Sequence, residues 1–335
     1  MCTSIWKSIA ASAAAFAIAT GIASTPATAE SVIRIGAMQP GSSWYVFAAT
    51  LDKLIESKLP GTRIEVVARG GGVANPMVVQ NGGEEIALSN VATAVWARDG
   101  HEVYGGKKAP DIRALVGGLN NVYIGAMVRE DFINKMGTDD LSAIFKSGKP
   151  VRIVMKPPGS NVPVAVDIIL EALGSSRAKI KADGGDIIQV GTPQIPSVVR
   201  DGKADIYFDT IIKGHPTITE VSLTGGVRFV DLPKPALDAL AKNGVHPSQY
   251  GQWFKGQSGP NWGGDFGTVL IANASLPEAQ AYEITKTVIE NAPALGEAHA
   301  AWRLFKPEDA WKPEMTGVPL HPGAVKYYKE RGWLK

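Results

Sequence analysis

From residue 31 onward, apolar and polar positions alternate between two periods. Short apolar runs of strand length are followed by stretches in which apolar residues recur every three or four positions. Val32–Ala37 reads as a buried strand, and Trp44, Phe47, Ala48, Leu51, Leu54 and Ile55 then fall on one face of a helix that Leu59-Pro60-Gly61 ends. Arg63–Ala68, Gly70-Gly71-Gly72 and Val73–Gln80 repeat the strand, loop and helix order, as do Glu85–Leu88, Ser89-Asn90 and Val91–Arg98. Ile112–Val116 and Val122–Arg129 are two β-rich runs separated by Gly117-Gly118, a segment suited to crossing between lobes.

A second set of units follows. Val151–Met155 precedes the loop 157–161 and a helix over Val162–Leu173; Asp186–Val190 precedes Gly191-Thr192-Pro193 and a helix over Gln194–Arg200. Ala204–Phe208 is a strand with Asp209-Thr210 in the loop after it. Val227–Leu232 is another strand, and Pro235–Lys242 a helix. Residues 244–265, rich in Gly, Trp and Gln, read as irregular. Phe266–Asn273 is a strand, Pro277–Asn291 a helix, and 293–335 a mostly helical tail whose Trp302, Phe305 and Trp311 pack against a lobe. Repeated units of this kind predict an α/β protein with parallel sheets covered by helices. About 300 residues exceed one core, so two lobes are expected.

Composition changes the picture at the N-terminus. Lys7, an Ala-rich apolar run and Ala27-Thr28-Ala29 form the layout of a secretory signal peptide. Residues 1–29 are therefore expected to be cleaved, with the mature chain starting at Glu30 in the periplasm. Cys2, the one cysteine, leaves with that peptide, which excludes disulfides, thiolate metal sites and cysteine nucleophiles from the mature chain. The 34 cations and 32 anions nearly balance, so nothing marks a nucleic-acid surface.

The candidate chemistry lies in the loops. In open α/β sheets ligands bind beyond the carboxyl ends of the strands, where helix starts present free N–H groups to anions. Ser42, Ser43, Ser160 and Asn161 add side-chain donors there, although each is equally suited to plain helix capping. Enzyme signals are weak. Gly36–Ser42 has the glycine spacing of a P-loop with Ser42 where lysine must stand, and Gly70-Gly71-Gly72 is no dinucleotide fingerprint. Ser258 lacks the nucleophile-elbow spacing. His101, His215, His246, His299 and His321 show no metal-ligand spacing and read as structural. Glu84-Glu85 and Asp139-Asp140 read as solvated turn residues. We expect no catalysis, no cofactor and no metal.

Five stretches carry a family resemblance: IGAMQPGSSWYVFAATLDKLI, ARGGGVANPMVVQNGGEEIALSNVATAVWARDG, MKPPGSNVPVAVDIILEALG, VVRDGKADIYFDTIIKGHP and VPLHPGAVKYYKERG. In this order they resemble the TAXI-type solute receptors of tripartite ATP-independent periplasmic (TRAP) transporters, over nearly all of the mature chain. The resemblance implies a type II periplasmic-binding-protein fold, with two α/β lobes joined by a hinge and the ligand cleft between them. Lobe I would comprise 30–118 plus about 292–335, and lobe II about 119–291. It further implies a monomer that binds a small organic anion (a dicarboxylate, an oxo acid or an acidic amino acid) and delivers it to integral-membrane TRAP permease subunits. A receptor signalling to a membrane sensor is the alternative.

Carried over by position, the contacts would be Ser42, Ser43, Trp44 and Tyr45; Gly71, Gly72 and Asn75; Asn90; Gly159, Ser160 and Asn161; and Asp209 and Thr210. Arg69 joins them as a possible bidentate partner for a carboxylate, or stands as a solvated strand-end residue. The chain departs from the family with Trp44-Tyr45 in place of two tyrosines, Gly72 in place of serine, Asn90 and Ala92 in place of Gln and Asp, and Arg69 in place of a small residue. These departures bear on which anion is bound.

Overall fold

The computed structural model describes residues 31–335; the expected signal peptide, its cleavage site and Glu30 lie outside the described residues. Four strands come first: β1 (Ser31–Gly36), β2 (Thr62–Val67), β3 (Ile86–Ser89) and β4 (Ile112–Val116). Seven follow: β5 (Tyr123–Arg129), β6 (Arg152–Met155), β7 (Asp186–Gln189), β8 (Ile206–Ile211), β9 (Val227–Val230), β10 (His246–Tyr250) and β11 (Asn261–Asp265); β12 (Val269–Asn273) closes the set. They form two sheets, one ordered β2-β1-β3-β12-β4, the other β10-β11-β5-β8-β6-β7 with β9 also paired to β5. This is the expected two-lobed α/β architecture.

Both sheets are mixed rather than parallel. β1 runs parallel to β2 and β3, and β6 parallel to β7 and β8. β12 is antiparallel to β3 and β4, and β5 antiparallel to β8 and β9. β12 belongs to the first sheet, so the chain returns to that sheet after β11. Residues 246–250 and 261–265, expected to be irregular, are strands β10 and β11. Their Pro and Gly content hides them, and Pro247 is tolerated because β10 is the edge of its sheet. Asp209 and Thr210, expected in a loop, lie inside β8 opposite Gly125 and Ile124.

The helices that position the loops form for local reasons. Helix α1 (Ser43–Glu56) starts where the Ser42 hydroxyl accepts the Tyr45 N–H at 3.2 Å, and it buries Trp44, Phe47, Ala48, Leu51 and Ile55. Helices α2 (Ala74–Gln80) and α3 (Val91–Asp99) follow β2 and β3. In the tail, Trp302 is buried and stacks on Phe47 at 4.2 Å, and Tyr328 donates to the Leu115 carbonyl at 2.9 Å. The tail thus covers the first sheet, with Phe305 buried and Trp311 half-buried.

The two crossings between sheets lie side by side. Leu119 N–H donates to the Thr268 carbonyl at 3.2 Å and Phe266 N–H to Val122 at 2.9 Å. The Asp265 carboxylate takes the N–H groups of Val122 and Gly267 at 2.8 and 2.9 Å and an amide hydrogen of Asn121. One side chain therefore clamps both strands of the hinge.

Candidate functional site

A buried cavity sits between the two sheets, beyond the carboxyl ends of β1, β3, β6 and β8. Met38, Ser42, Ser43, Trp44, Gly72 and Asn90 wall it from one side, Lys156, Asn161, Thr210, Ile212 and His215 from the other, and Val122 at the crossing. Between these walls about 20 Å³ is open to the centre of a water molecule. That is room for only a few non-hydrogen atoms.

The halves also touch directly around it. The Gly159 carbonyl accepts N–H groups from both Val73 and Ala74 at 3.1 Å, Thr217 donates its hydroxyl to the Gly41 carbonyl at 2.9 Å, and Gln39 Oε1 accepts the Thr192 N–H at 3.1 Å. Trp96 Nε1 donates to the Asn243 carbonyl at 2.8 Å. The cleft is shut.

Glycine is required where the backbones meet. Gly71 has φ +140°, and a Cβ there would lie 2.8 Å from the Gly159 oxygen. At Gly72 a Cβ would lie 2.1 Å from Asn90 Oδ1, so the serine common in the resembling family would displace the Asn90 amide.

Of the expected contacts, seven line the cavity: Ser42, Ser43, Trp44, Gly72, Asn90, Asn161 and Thr210. The others serve nearby or elsewhere. Gly71 and Gly159 are the contact between halves. Asn75 is a brace: its Oδ1 accepts the Gly71 N–H at 2.8 Å and its Nδ2 donates to the Ala37 and Leu88 carbonyls at 3.0 and 2.8 Å. Ser160 accepts the Val162 N–H at 3.2 Å, and Asp209 lies behind the wall. Tyr45 does not join the cavity; it lies on a surface groove with Ala294, Leu295 and Ala298. Arg69 is exposed and off the cavity wall, so its placement matches the solvated reading. Glu84, expected to be solvated, is buried, and desolvation raises its carboxyl pKa to about 7.

Two residues that sequence reasoning missed change the chemistry. Lys156, 2% exposed, pairs with the fully buried Asp209 at 2.6 Å and donates to Thr210 Oγ1 at 3.1 Å. Tyr207 donates to the other Asp209 oxygen, and the Thr210 N–H donates to the first at 2.6 Å. The one available signal was the strand-end position of Lys156, one residue past β6.

The second is His215. Its Nδ1 accepts the Ile218 N–H at 3.3 Å, the capping role expected of a structural histidine. Burial, helped by the Lys156 charge, lowers its pKa to about 3, so the ring is neutral. With Nδ1 accepting, the ring proton sits on Nε2, which has no partner among the described residues.

The unspent polar groups separate capping from site. Ser42 caps α1 and also donates to the Gln39 carbonyl at 2.8 Å, so its hydroxyl is used. Asn90 and Asn161 occupy N-cap positions without making side-chain caps. Asn90 Nδ2 donates to the Gly267 carbonyl at 2.9 Å, which orients its Oδ1 away from that contact. Ser43 Oγ, Trp44 Nε1, Asn90 Oδ1, Asn161 Nδ2 and His215 Nε2 are buried with no hydrogen-bond partner among the described residues. Leaving such groups unpaired is costly, so their convergence on one cavity marks a place for a polar guest. Among the described residues no cluster of three or more His, Cys, Asp or Glu forms a metal site, and no helix is long and apolar enough to cross a membrane.

Comparison with known proteins agrees with this architecture. The NMT1-like family matches residues 35–332. Among solved structures, MatC of Rhodopseudomonas palustris with bound malate superposes with a TM-score of 0.54 at 15% identity, covering 90% of this chain and 97% of MatC. A protein of Bordetella bronchiseptica RB50 gives 0.51 at 14% identity, covering 91% of this chain and 90% of the other. At these identities the likeness is one of fold.

Proposed function

The chain belongs to the NMT1-like family, a family of periplasmic solute-binding proteins, and from that premise we propose that it is the periplasmic receptor of a TRAP-type transporter. It is exported by cleavage after Ala29, captures a small organic anion between two lobes as a monomer, and hands it to the membrane permease without chemical change. The classes that the family resemblance brings are dicarboxylates, oxo acids and acidic amino acids. The moving units divide at the crossings, near residues 117–122 and 265–268.

One observation supports this most: a closed cavity between two sheets whose walls bring unpaired donors and a buried lysine together. Neutral dipoles and one paired cation stabilise an anion in such a site. Malate in MatC is a fitting first probe, because the folds are alike.

The test is a melting-temperature and tryptophan-fluorescence screen of the mature protein against small acids. A bound acid at 100 times its Kd stabilises by about 2.7 kcal/mol, a shift of several degrees. Silence across dicarboxylates, oxo acids, hydroxy acids and amino acids would sink the proposal.

A further inference from the structure

Resting on the anion-receptor reading and narrowing it, we infer that the guest is a small monocarboxylate carrying one neighbouring hydroxyl, a 2-hydroxy acid. The argument is a count of what the walls offer. Five donors on residues of the cavity wall have no partner among the described residues: the Ser43 hydroxyl, Trp44 Nε1, Asn161 Nδ2, His215 Nε2 and the third ammonium hydrogen of Lys156, whose other two go to Asp209 and Thr210. One obligate acceptor on the wall, Asn90 Oδ1, is unpartnered too, and the bond from Nδ2 to the Gly267 carbonyl fixes which end of the amide is the oxygen.

An ionised carboxylate has about four lone-pair sites, and a hydroxyl accepts as well as donates one proton. One carboxylate with one hydroxyl therefore uses the five donors and supplies the single proton that Asn90 needs. Other classes leave something unpaired. An oxo acid has no proton for Asn90. An α-ammonium brings three protons to one acceptor, and Asp209, the nearest carboxylate, is already held by Lys156, Tyr207 and Thr210.

A dicarboxylate brings a second charged group. The one buried cation on the wall is already neutralised by Asp209, and the space suits a few heavy atoms. Glycolate and lactate match the charge, the count and the size together.

The experiment is calorimetric titration of the ligand-stripped mature protein with lactate, glycolate, pyruvate, alanine and malate. Lactate or glycolate should bind at least about tenfold more tightly than the other three, the cost of one unpaired buried group. Asn90→Leu should bring lactate down to the affinity of pyruvate while leaving pyruvate nearly unchanged. If that variant does not fold, the wild-type ranking decides alone. Malate, alanine or pyruvate binding as tightly as lactate overturns the hydroxy-acid assignment and leaves the anion receptor standing. No binding of any of the five, together with silence in the broader acid screen, overturns both.

Discussion

Lys156 and Asp209 form a pair whose members cannot be removed separately without cost. Lys156→Met strands a fully buried carboxylate, so stability should fall by about 3–5 kcal/mol in urea denaturation. Adding Asp209→Asn should restore most of that stability, while acid affinity stays at least about tenfold below wild type by calorimetry. A double variant that binds as well as wild type would show the lysine to be structural. Glu84 gives the pH signature. Its folded pKa lies near 7, above the usual 4.5, so the folded state holds a proton that the unfolded state has lost. The associated stability is complete below about pH 4.5 and disappears as pH rises through 7. Glu84→Gln should therefore flatten thermal stability over that window and raise it at pH 8, by up to about 3 kcal/mol. His215 titrates with the opposite sense: its lowered pKa makes acid between about 6.5 and 3 destabilising.

At the scale of single elements, α1 separates capping from binding within two adjacent serines. Ser42→Ala removes the cap and should cost about 1 kcal/mol of stability in chemical denaturation with little change in affinity. Ser43→Ala should do the reverse. The glycine loop after β2 governs approach of the halves, so Gly71→Ala should weaken acid binding while the unliganded melting temperature changes less. The helices and central strands were readable because their apolar positions carry the period of the element, as in α1 and β12. Strands β10 and β11 were not, because a half-exposed edge hairpin needs few apolar residues and holds Pro and Gly without penalty. Asp209 was assigned to a loop because acidic residues rarely sit inside a buried strand; its lysine partner, 53 positions away in sequence, is what permits it.

For the molecule as a whole, closure rests on a few hydrogen bonds between halves and on the hinge that Asp265 clamps. Thr217→Val removes the bond to Gly41 and should lower acid affinity up to about tenfold by depopulating the closed form. Small-angle scattering should show a larger radius of gyration for that variant without ligand, converging with wild type at saturation. An unchanged radius and affinity would mean that this contact does not govern closure.

Apart from β10, β11 and the end of β8, the order of strands and helices, the two-lobe plan and the loops in which polar residues accumulate follow from periodicity and chain length. Of the fourteen contacts that the family resemblance implies, seven lie on the cavity wall. Only the tertiary structure decided which polar groups were already used by the fold. Ser42, Asn75 and Ser160 spend hydrogen bonds on backbone groups, whereas Asn90 Oδ1 and Asn161 Nδ2 keep no partner among the described residues. It also brought Lys156 and His215 to the same wall. Hydrogen-bond satisfaction and burial depend on atoms far apart in the chain, and no local pattern of residue types encodes them.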